Sequence, residues 1–302
     1  MIGSWLERLA VRSARSREDG GAVVAAAPDG AAPDAAAMSS ARRWLYEAAY
    51  PGAGEPAKAG RIGRDEAIDL ARDFALAHFP GVAAVFGFGS AFNGGFRPYS
   101  DIDLVIALPR GRFLRNRCLL HRGVPMELHV FGLEGADRVI GFARRSGNAS
   151  VLLPIAQGEV LLDQYLIADE IKRRFAQAYE AGPEPAPATA IHALRHMITT
   201  QLLDLAGGLS PEEATASALS VYPLLMRLLY ATGQSWRHRG KWAARHGERL
   251  MGGLAAKVHA AYRAAMEGDP EPLLALALDV LDRAGGPLWA PHVDEVTFRE
   301  TA

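Results

Sequence analysis

The chain has 302 residues and a formal net charge of −1, with 33 basic and 34 acidic residues. This near-neutrality excludes a field over the whole molecule that would attract nucleic acid or anionic lipid. Cys118 is the single cysteine, which excludes an internal disulfide and a multi-cysteine zinc site, and no uncharged apolar run approaches the roughly 20 residues of a membrane span. These features predict a protein of the reducing cytoplasm, and the length predicts two domains.

Residues 1–38 show two patterns that differ from the rest of the chain. Over residues 1–18, apolar side chains recur at helical spacing and the arginines lie largely on other faces. This pattern predicts a basic amphipathic helix that rests on its own domain or, alternatively, lies on a membrane surface or docks on a partner. It lacks the continuous apolar run and the cleavage site of a secretory signal. Residues 19–38 are mostly Ala, Gly, Pro and Asp without periodicity, which predicts a flexible linker.

Residues 39–168 alternate between helical and strand patterns, which predicts a mixed α/β sheet domain. Two helices are expected, one capped by Ser39 or Ser40 and ending at Tyr50, the other over Arg64–Phe79. Four strands are expected, at Val82–Phe88, Ile102–Leu108, Cys118–His121 and Met126–Phe131. The last two should form a hairpin, because Arg122 and Gly123 between them suit a two-residue turn.

Residues 169–302 are predicted to be helical. Helices are expected at Asp169–Glu180, Ile191–Ala206, Ser210–Thr232, Ala255–Met266 and Leu273–Ala284. The clearest start signal is Ser210 followed by Pro211 and Glu213, since the serine can cap the helix and the glutamate sits at the capping-box position. The fold class is therefore α+β, with an N-terminal mixed sheet domain followed by a C-terminal helical bundle.

The stretch 85–108, VFGFGSAFNGGFRPYSDIDLVIAL, contains the residues suited to catalysis. Asp101 and Asp103 are two positions apart at a strand start, so both carboxylates project from one sheet face. Two close carboxylates repel unless a cation lies between them, and hard oxygen ligands suit Mg²⁺ that also binds nucleotide phosphates. Gly89 permits a sharp turn and a close backbone approach, and Ser90 adds a hydroxyl at an expected helix start, where free N–H groups favour phosphate.

A third carboxylate is expected from a neighbouring strand. Glu127 lies between the apolar residues Met126 and Leu128. A carboxylate in that position can bind a metal and accept the proton of an attacking hydroxyl. His129 should share its face, either reaching the same groove or being satisfied by hydrogen bonds within the sheet.

These three elements together resemble the motif of the nucleotidyltransferase superfamily, whose fold is like that of DNA polymerase β. The elements are Phe88-Gly89-Ser90, Asp101-Ile102-Asp103-Leu104 and Met126-Glu127-Leu128. The string GSAFNGGFRPYSDIDLVI is especially similar to aminoglycoside adenylyltransferases of the streptomycin and spectinomycin group. This resemblance implies that Asp101, Asp103 and Glu127 are the metal-binding and catalytic residues, with Glu127 as the general base, and that residues 39–168 form the nucleotidyltransferase domain.

A second similarity lies in the helical part. The segment RLLYATGQSWRHRGKWAAR resembles the family's helix, Thr-Gly stop and following phosphate-contacting lysine. By this comparison Lys241 closes the site from the second domain; the alternative is a surface lysine on a loop. Lysine is rare here, with four lysines against 29 arginines. Arg97, between the two halves of the motif, is a further candidate phosphate ligand.

The resemblance implies a Mg²⁺-dependent transfer of a nucleoside monophosphate, AMP from ATP, to a hydroxyl of a small molecule such as an aminoglycoside-like antibiotic, with release of pyrophosphate. One alternative is a protein- or RNA-modifying nucleotidyltransferase of the toxin or antitoxin type. Another is a catalytically silent nucleotide-binding protein. The helical part has no basic stripe, so nucleic acid is not an expected partner, and no feature decides the oligomeric state.

Overall fold

The computed structural model describes residues 40–50, 62–93 and 100–290, apart from the side chains of Ser40, Ala41 and Arg245. The amphipathic helix and linker predicted within residues 1–38 lie outside these ranges. Arg97 and residues 291–302 also lie outside them.

Within the described ranges, five strands form one sheet. The strands are β1 (Ala84–Phe88), β2 (Ile102–Leu108), β3 (Leu114–His121), β4 (Val124–Gly132) and β5 (Glu159–Asp163). The first helices are α1 (Ser40–Ala49), α2 (Arg64–His78), α3 (Ala136–Ser146), α4 (Leu152–Gln157) and α5 (Ala168–Glu180). They are followed by α6 (Ala188–Ala206), α7 (Pro211–Thr232), α8 (Gly240–Gly247), α9 (Leu254–Met266) and α10 (Glu271–Asp282). The predicted hairpin is confirmed, and Arg122 and Gly123 both have positive φ in its two-residue turn.

The strand order in the sheet is β3-β4-β2-β1-β5. The central pair β2 and β4 is parallel, whereas β1 pairs antiparallel with β2 and β5, and β3 antiparallel with β4. The parallel pairing brings the starts of β2 and β4 to the same end of the sheet, which is where both predicted carboxylate motifs lie.

Helices cover both faces of the sheet. On one face Phe74 of α2 shares a core with Ile102 and Leu128. On the other face Phe175 of α5 packs on Phe131, with ring centroids 5.5 Å apart. Because β2 is covered on both faces, its sequence is a nearly continuous apolar run rather than an alternation. The predicted α+β fold class is confirmed.

The helical half has its own core. Ile198, Val221, Leu228 and Leu273 belong to a cluster formed by α6 to α10. Helix α5, which the sequence grouped with the bundle, packs instead into the core of the sheet, because its apolar face matches Phe131 and its neighbours. The division of the chain into domains at residues 38 and 168 stays a prediction.

The start of α7 follows the predicted capping pattern. The Glu213 backbone N–H donates to the Ser210 hydroxyl at 3.3 Å, and the Ser210 backbone N–H donates to the Glu213 carboxylate at 3.0 Å. The helix continues through Pro223 and ends at Thr232, with Gly233 as its C-terminal cap. In the described ranges, no helix combines the length and apolarity that crossing a membrane requires.

Candidate active site

The structure gathers the three predicted carboxylates on one face of the sheet. Asp103 of β2 and Glu127 of β4 are register partners, and Asp101 immediately precedes β2. Each of the three residues is half-buried, and each offers a carboxylate oxygen within 4.8 Å of those offered by the other two. The i, i+2 spacing places the aspartates on the same face, and the parallel pairing adds the glutamate beside them.

The electrostatics of this cluster are unfavourable in the absence of a cation. The pKa of Asp103 is raised from its ordinary value of 3.8 to about 7, first because the carboxyl is buried and then because Asp101 and Glu127 lie close to it. A cation between the three groups would relieve this repulsion. Three hard oxygen donors, half-buried and held close together, therefore fit a divalent metal ion.

Gly89 has a specific role beside Asp103. Its backbone has φ of +89°, and a Cβ at this position would collide with Oδ2 of Asp103. The expected close approach is therefore real, and in the structure the group that approaches the Gly89 backbone is the Asp103 carboxylate. An L-residue at position 89 would meet both an unfavourable backbone conformation and a steric clash.

Ser90 directly follows Gly89 after the end of β1. Ser90 is half-buried and begins a series of turns that continues through Asn93, so the helix start expected there is absent from the described residues 90–93. Arg97 lies outside the described residues. The phosphate-binding role of each remains a prediction.

Lys241 comes to the site from the helical half. It lies in the first turn of α8, is exposed, and its ammonium acts on Asp103, where it lowers the pKa against the effect of the neighbouring carboxylates. Lys241 therefore lies in a helix rather than on the loop that the alternative expected, and its contact with nucleotide phosphates stays a prediction. The adjacent Trp242 stacks on Phe88 of β1, with ring centroids 6.4 Å apart and planes inclined by 28°.

His129 is close to Glu127 and also has a partner within the sheet. Its Nδ1 is hydrogen-bonded to Oδ1 of Asn116 at 2.7 Å, while Nε2 lies 4.0 Å from Oε1 of Glu127. Burial lowers the pKa of His129, and the Glu127 carboxylate partly offsets this effect. A depressed pKa keeps the ring neutral at pH 7.

Two neighbours of the carboxylates come from β3 and belong to none of the three motif elements. The hairpin register pairs Cys118 with Glu127 and Asn116 with His129. Directly opposed residues share a face, so Cys118 extends the row that contains Asp103 and Glu127. The predicted turn at Arg122 and Gly123 already implied this pairing, because a two-residue hairpin sets the register of both strands.

Tyr50 is a further neighbour that the sequence did not indicate. Burial raises the pKa of its phenol, and the charges of Asp101 and Cys118 raise it further. Its ring also contacts Tyr46 edge-on, with centroids 5.1 Å apart. The end of α1 therefore lies near the carboxylates, a contact between distant parts of the chain that leaves no local pattern.

The site thus combines three metal-compatible carboxylates, a glycine turn beside Asp103, and a lysine of the helical half whose charge acts on Asp103. Residues 68–162 match the family model described as Nucleotidyltransferase domain. The matched region runs from α2 to β5 and includes Gly89, Asp101, Asp103 and Glu127.

Comparisons over the whole chain find similarity among solved structures but not among curated sequences. No curated protein matches the chain in sequence. Similar solved structures include the crystal structure of a nucleotidyltransferase-like protein from Exiguobacterium sibiricum 255-15, which is 11% identical. That similarity covers 72% of this chain and 73% of the other, with a TM-score of 0.37.

Proposed function

We propose that the protein is a nucleotidyltransferase that moves a nucleoside monophosphate from a nucleoside triphosphate to a hydroxyl group. The observation that supports this proposal most directly is the cluster of Asp101, Asp103 and Glu127 within the region that matches the nucleotidyltransferase family. Lys241 supplies a cation beside this cluster from the other half of the chain. A nucleoside triphosphate carries the negative charge that Lys241 and a metal ion held by the carboxylates would bind.

The carboxylates are the proposed metal ligands. Asp101, Asp103 and Glu127 would hold Mg²⁺, which when bound neutralises charge on the triphosphate. The raised pKa of Asp103 fits this role, because a carboxylate whose charge is disfavoured first by burial and then by its neighbours gains most from a bound cation. Gly89 keeps the space next to Asp103 open for its carboxylate.

Glu127 is the proposed general base. Its side chain is 41% exposed, so an acceptor hydroxyl can approach it from solvent. In the proposed step the acceptor oxygen forms a bond to the α-phosphorus, the bond between that phosphorus and the bridging oxygen breaks, and pyrophosphate leaves. The acceptor proton passes to Glu127. Most of the rate acceleration in such a transfer comes from positioning and charge neutralisation.

The remaining predicted residues bind the nucleotide in this proposal. Lys241, the Gly89 turn and Ser90 would hold the terminal phosphates, and Arg97 would add a second cation. We infer ATP as the donor and a small molecule, such as an aminoglycoside-like antibiotic, as the acceptor, from the similarity of the string GSAFNGGFRPYSDIDLVI to the streptomycin and spectinomycin group. A cytoplasmic location is proposed with it, since the free thiol of Cys118 suits a reducing compartment.

Pyrophosphate release tests the proposal. Purified protein is incubated with Mg²⁺ and each of the four nucleoside triphosphates, with and without a panel of aminoglycosides and other hydroxyl compounds. Release that depends on one acceptor class is the expected result, and Asp103→Asn should abolish it. Asp204→Asn is the matched control, because Asp204 is an exposed carboxylate on α6, a helix of the bundle.

Other outcomes of the same experiment identify the alternatives. Labelled nucleotide that appears on a protein or an RNA would replace the small-molecule acceptor with a macromolecular one. Triphosphate binding without turnover on any acceptor would favour a catalytically silent nucleotide-binding protein. Full activity of Asp103→Asn would overturn the assignment of the site.

A further inference from the structure

One side chain of the helical half is buried in the core of the sheet. Trp236, in the connection between α7 and α8, belongs to the cluster that contains Phe86, Phe131 and Phe175. Among the residues described beyond α5, it is the one member of the two clusters that cover the sheet. The bundle cluster, in contrast, draws all its members from residue 194 onward. Trp236 therefore anchors the connection between two helices of the bundle in the core of the sheet.

Specific contacts hold Trp236 in place. Its Nε1–H donates to the backbone carbonyl of Tyr179 at 2.9 Å, and the two rings are stacked with centroids 5.6 Å apart and planes inclined by 6°. Trp236 is only 6% exposed. The next residue adds a second attachment, since the Arg237 backbone N–H donates to the Gly147 carbonyl at 2.7 Å. The connection is thus fixed to the C-terminal ends of both α5 and α3.

These attachments lie close in sequence to the lysine at the carboxylates. Lys241 is four positions after Arg237 in the sequence, a reach of at most about 14 Å for an extended chain. Trp236 and Arg237 therefore limit how far α8, and with it Lys241 and Trp242, can move from the sheet. A further contact between the two halves lies next to the carboxylates, where Trp242 of α8 stacks on Phe88 of β1.

We propose that Trp236 is a positioning residue that acts through Lys241: its contact with Tyr179 fixes α8 so that the Lys241 ammonium meets the phosphates at the carboxylate cluster. This proposal rests on the proposed nucleotidyl transfer. Binding groups work only when they are held in place, and a misplacement of about 1 Å by a distant residue can cost about 100-fold in rate. Loss of the Trp236 side chain removes one member of the sheet core, leaves the bundle core intact, and allows the bundle to shift relative to the sheet.

The first test compares substitutions at position 236 by nucleotide kinetics. Trp236→Ala should lower kcat/KM for the triphosphate by roughly 100-fold. Trp236→Phe keeps an aromatic ring in the contact and loses only the N–H donor, so its loss should stay within about tenfold. Trp289→Ala is the control, because Trp289 is 61% exposed and contacts His196 of the bundle. Trp236→Leu, which retains apolar burial, replaces the alanine variant should that variant fail to fold.

A double-mutant cycle separates positioning from general destabilisation. If Trp236 acts through Lys241, then Trp236→Ala combined with Lys241→Ala should cost about as much in kcat/KM as Lys241→Ala alone. Independent losses that multiply would overturn the proposal, as would wild-type kinetics of Trp236→Ala. Mn²⁺ binding to the carboxylates should persist in Trp236→Ala, which shows that the sheet remains folded.

A distance measurement keeps this proposal separable from the proposed function. Spin labels at the exposed positions Arg138 of α3 and His259 of α9, in a Cys118→Ser background, report how the sheet and the bundle sit relative to each other. We expect one narrow distance distribution for the parent and for Trp236→Phe, and a broader or displaced one for Trp236→Ala. Identical distributions would overturn the positioning role. Absence of nucleotide binding and turnover in the parent would instead overturn the proposed function, and with it the role of Lys241 toward phosphates, whatever the distances show.

Discussion

Asp103 and Glu127 lie side by side on one face of the sheet, as register partners in the parallel pairing of β2 and β4. Their carboxylates belong, with that of Asp101, to a cluster in which an oxygen of each lies within 4.8 Å of the others. The pKa of Asp103 rises to about 7 as a result of its burial and of these neighbours. The metal-free site thus carries a charge repulsion that the fold must tolerate, and several measurable consequences depend on it.

The stability of the metal-free protein should fall as the pH rises. Because the folded pKa of Asp103 lies above its unfolded value of 3.8, the folded state holds the proton more tightly. The stabilisation from this carboxyl is therefore fully present below about pH 4 and is lost as the pH rises through about 7, a loss of a few kcal/mol at most.

Urea unfolding with a chelator at pH 5 and pH 8 measures this effect. Asp103→Asn should weaken the pH dependence and be more stable than the parent at pH 8, while Asp204→Asn should keep the parent's dependence. An equal decline in the parent and in Asp103→Asn would contradict the assignment to Asp103.

Metal binding should release a proton from Asp103. At pH values below about 7 the carboxyl is largely protonated, so a divalent cation must displace the proton, and the apparent affinity should rise by up to about tenfold per pH unit before it levels off. Calorimetry with Mn²⁺ in two buffers of different ionisation enthalpy measures the proton release. A binding enthalpy at pH 6 that is the same in both buffers would show that Asp103 is already ionised.

Gly89→Ala should abolish metal binding at a site that otherwise remains folded. The new methyl group would collide with the Asp103 carboxylate, in addition to the strain of a positive φ, which costs about 1 to 2 kcal/mol. Gly268→Ala is the matched control, since Gly268 has φ of +93° and a Cβ there would meet nothing within 4 Å. Thermal unfolding should show a loss in both variants, larger in Gly89→Ala because of the added collision, and only Gly89→Ala should lose Mn²⁺ affinity. Equal Mn²⁺ binding by both would mean that the turn does not shape the site.

Lys241→Ala should weaken nucleotide binding. The loss of a charged contact to phosphate predicts a KM for the triphosphate that is raised by roughly 10- to 100-fold. Lys241→Arg retains the charge on a larger, planar group, so an intermediate effect is expected. Lys257→Ala, at an exposed lysine of α9, is the control. Steady-state kinetics that are unchanged in both Lys241 variants would show that this lysine is incidental.

Much of the local structure could be predicted from the sequence. The capping residues Ser210 and Glu213 predicted the start of α7, and the turn at Arg122 and Gly123 predicted the hairpin. The spacing of Asp101 and Asp103 was enough to place both on one face. These features depend on residues near one another in the chain, where capping, turn geometry and side-chain alternation act directly.

The contacts between distant segments were decided by the tertiary structure. The parallel pairing of β2 and β4 places Glu127 beside Asp103, and packing attaches α5 to the sheet. The proximity of Tyr50 to Asp101 and the burial of Trp236 have no local pattern that would predict them. Such contacts depend on the total burial of apolar surface, to which many residues contribute and which no short segment specifies.

The near-neutral net charge and the scarcity of lysine illustrate the same division. The sequence by itself determined that the formal net charge is −1, and that the lysine at position 241 is one of four in the chain. Only the tertiary structure decided that this ammonium lies close enough to Asp103 to lower its pKa. The net charge is a sum over all residues and does not depend on where they lie. The electrostatic interaction between two groups depends on the distance between them, which the fold sets.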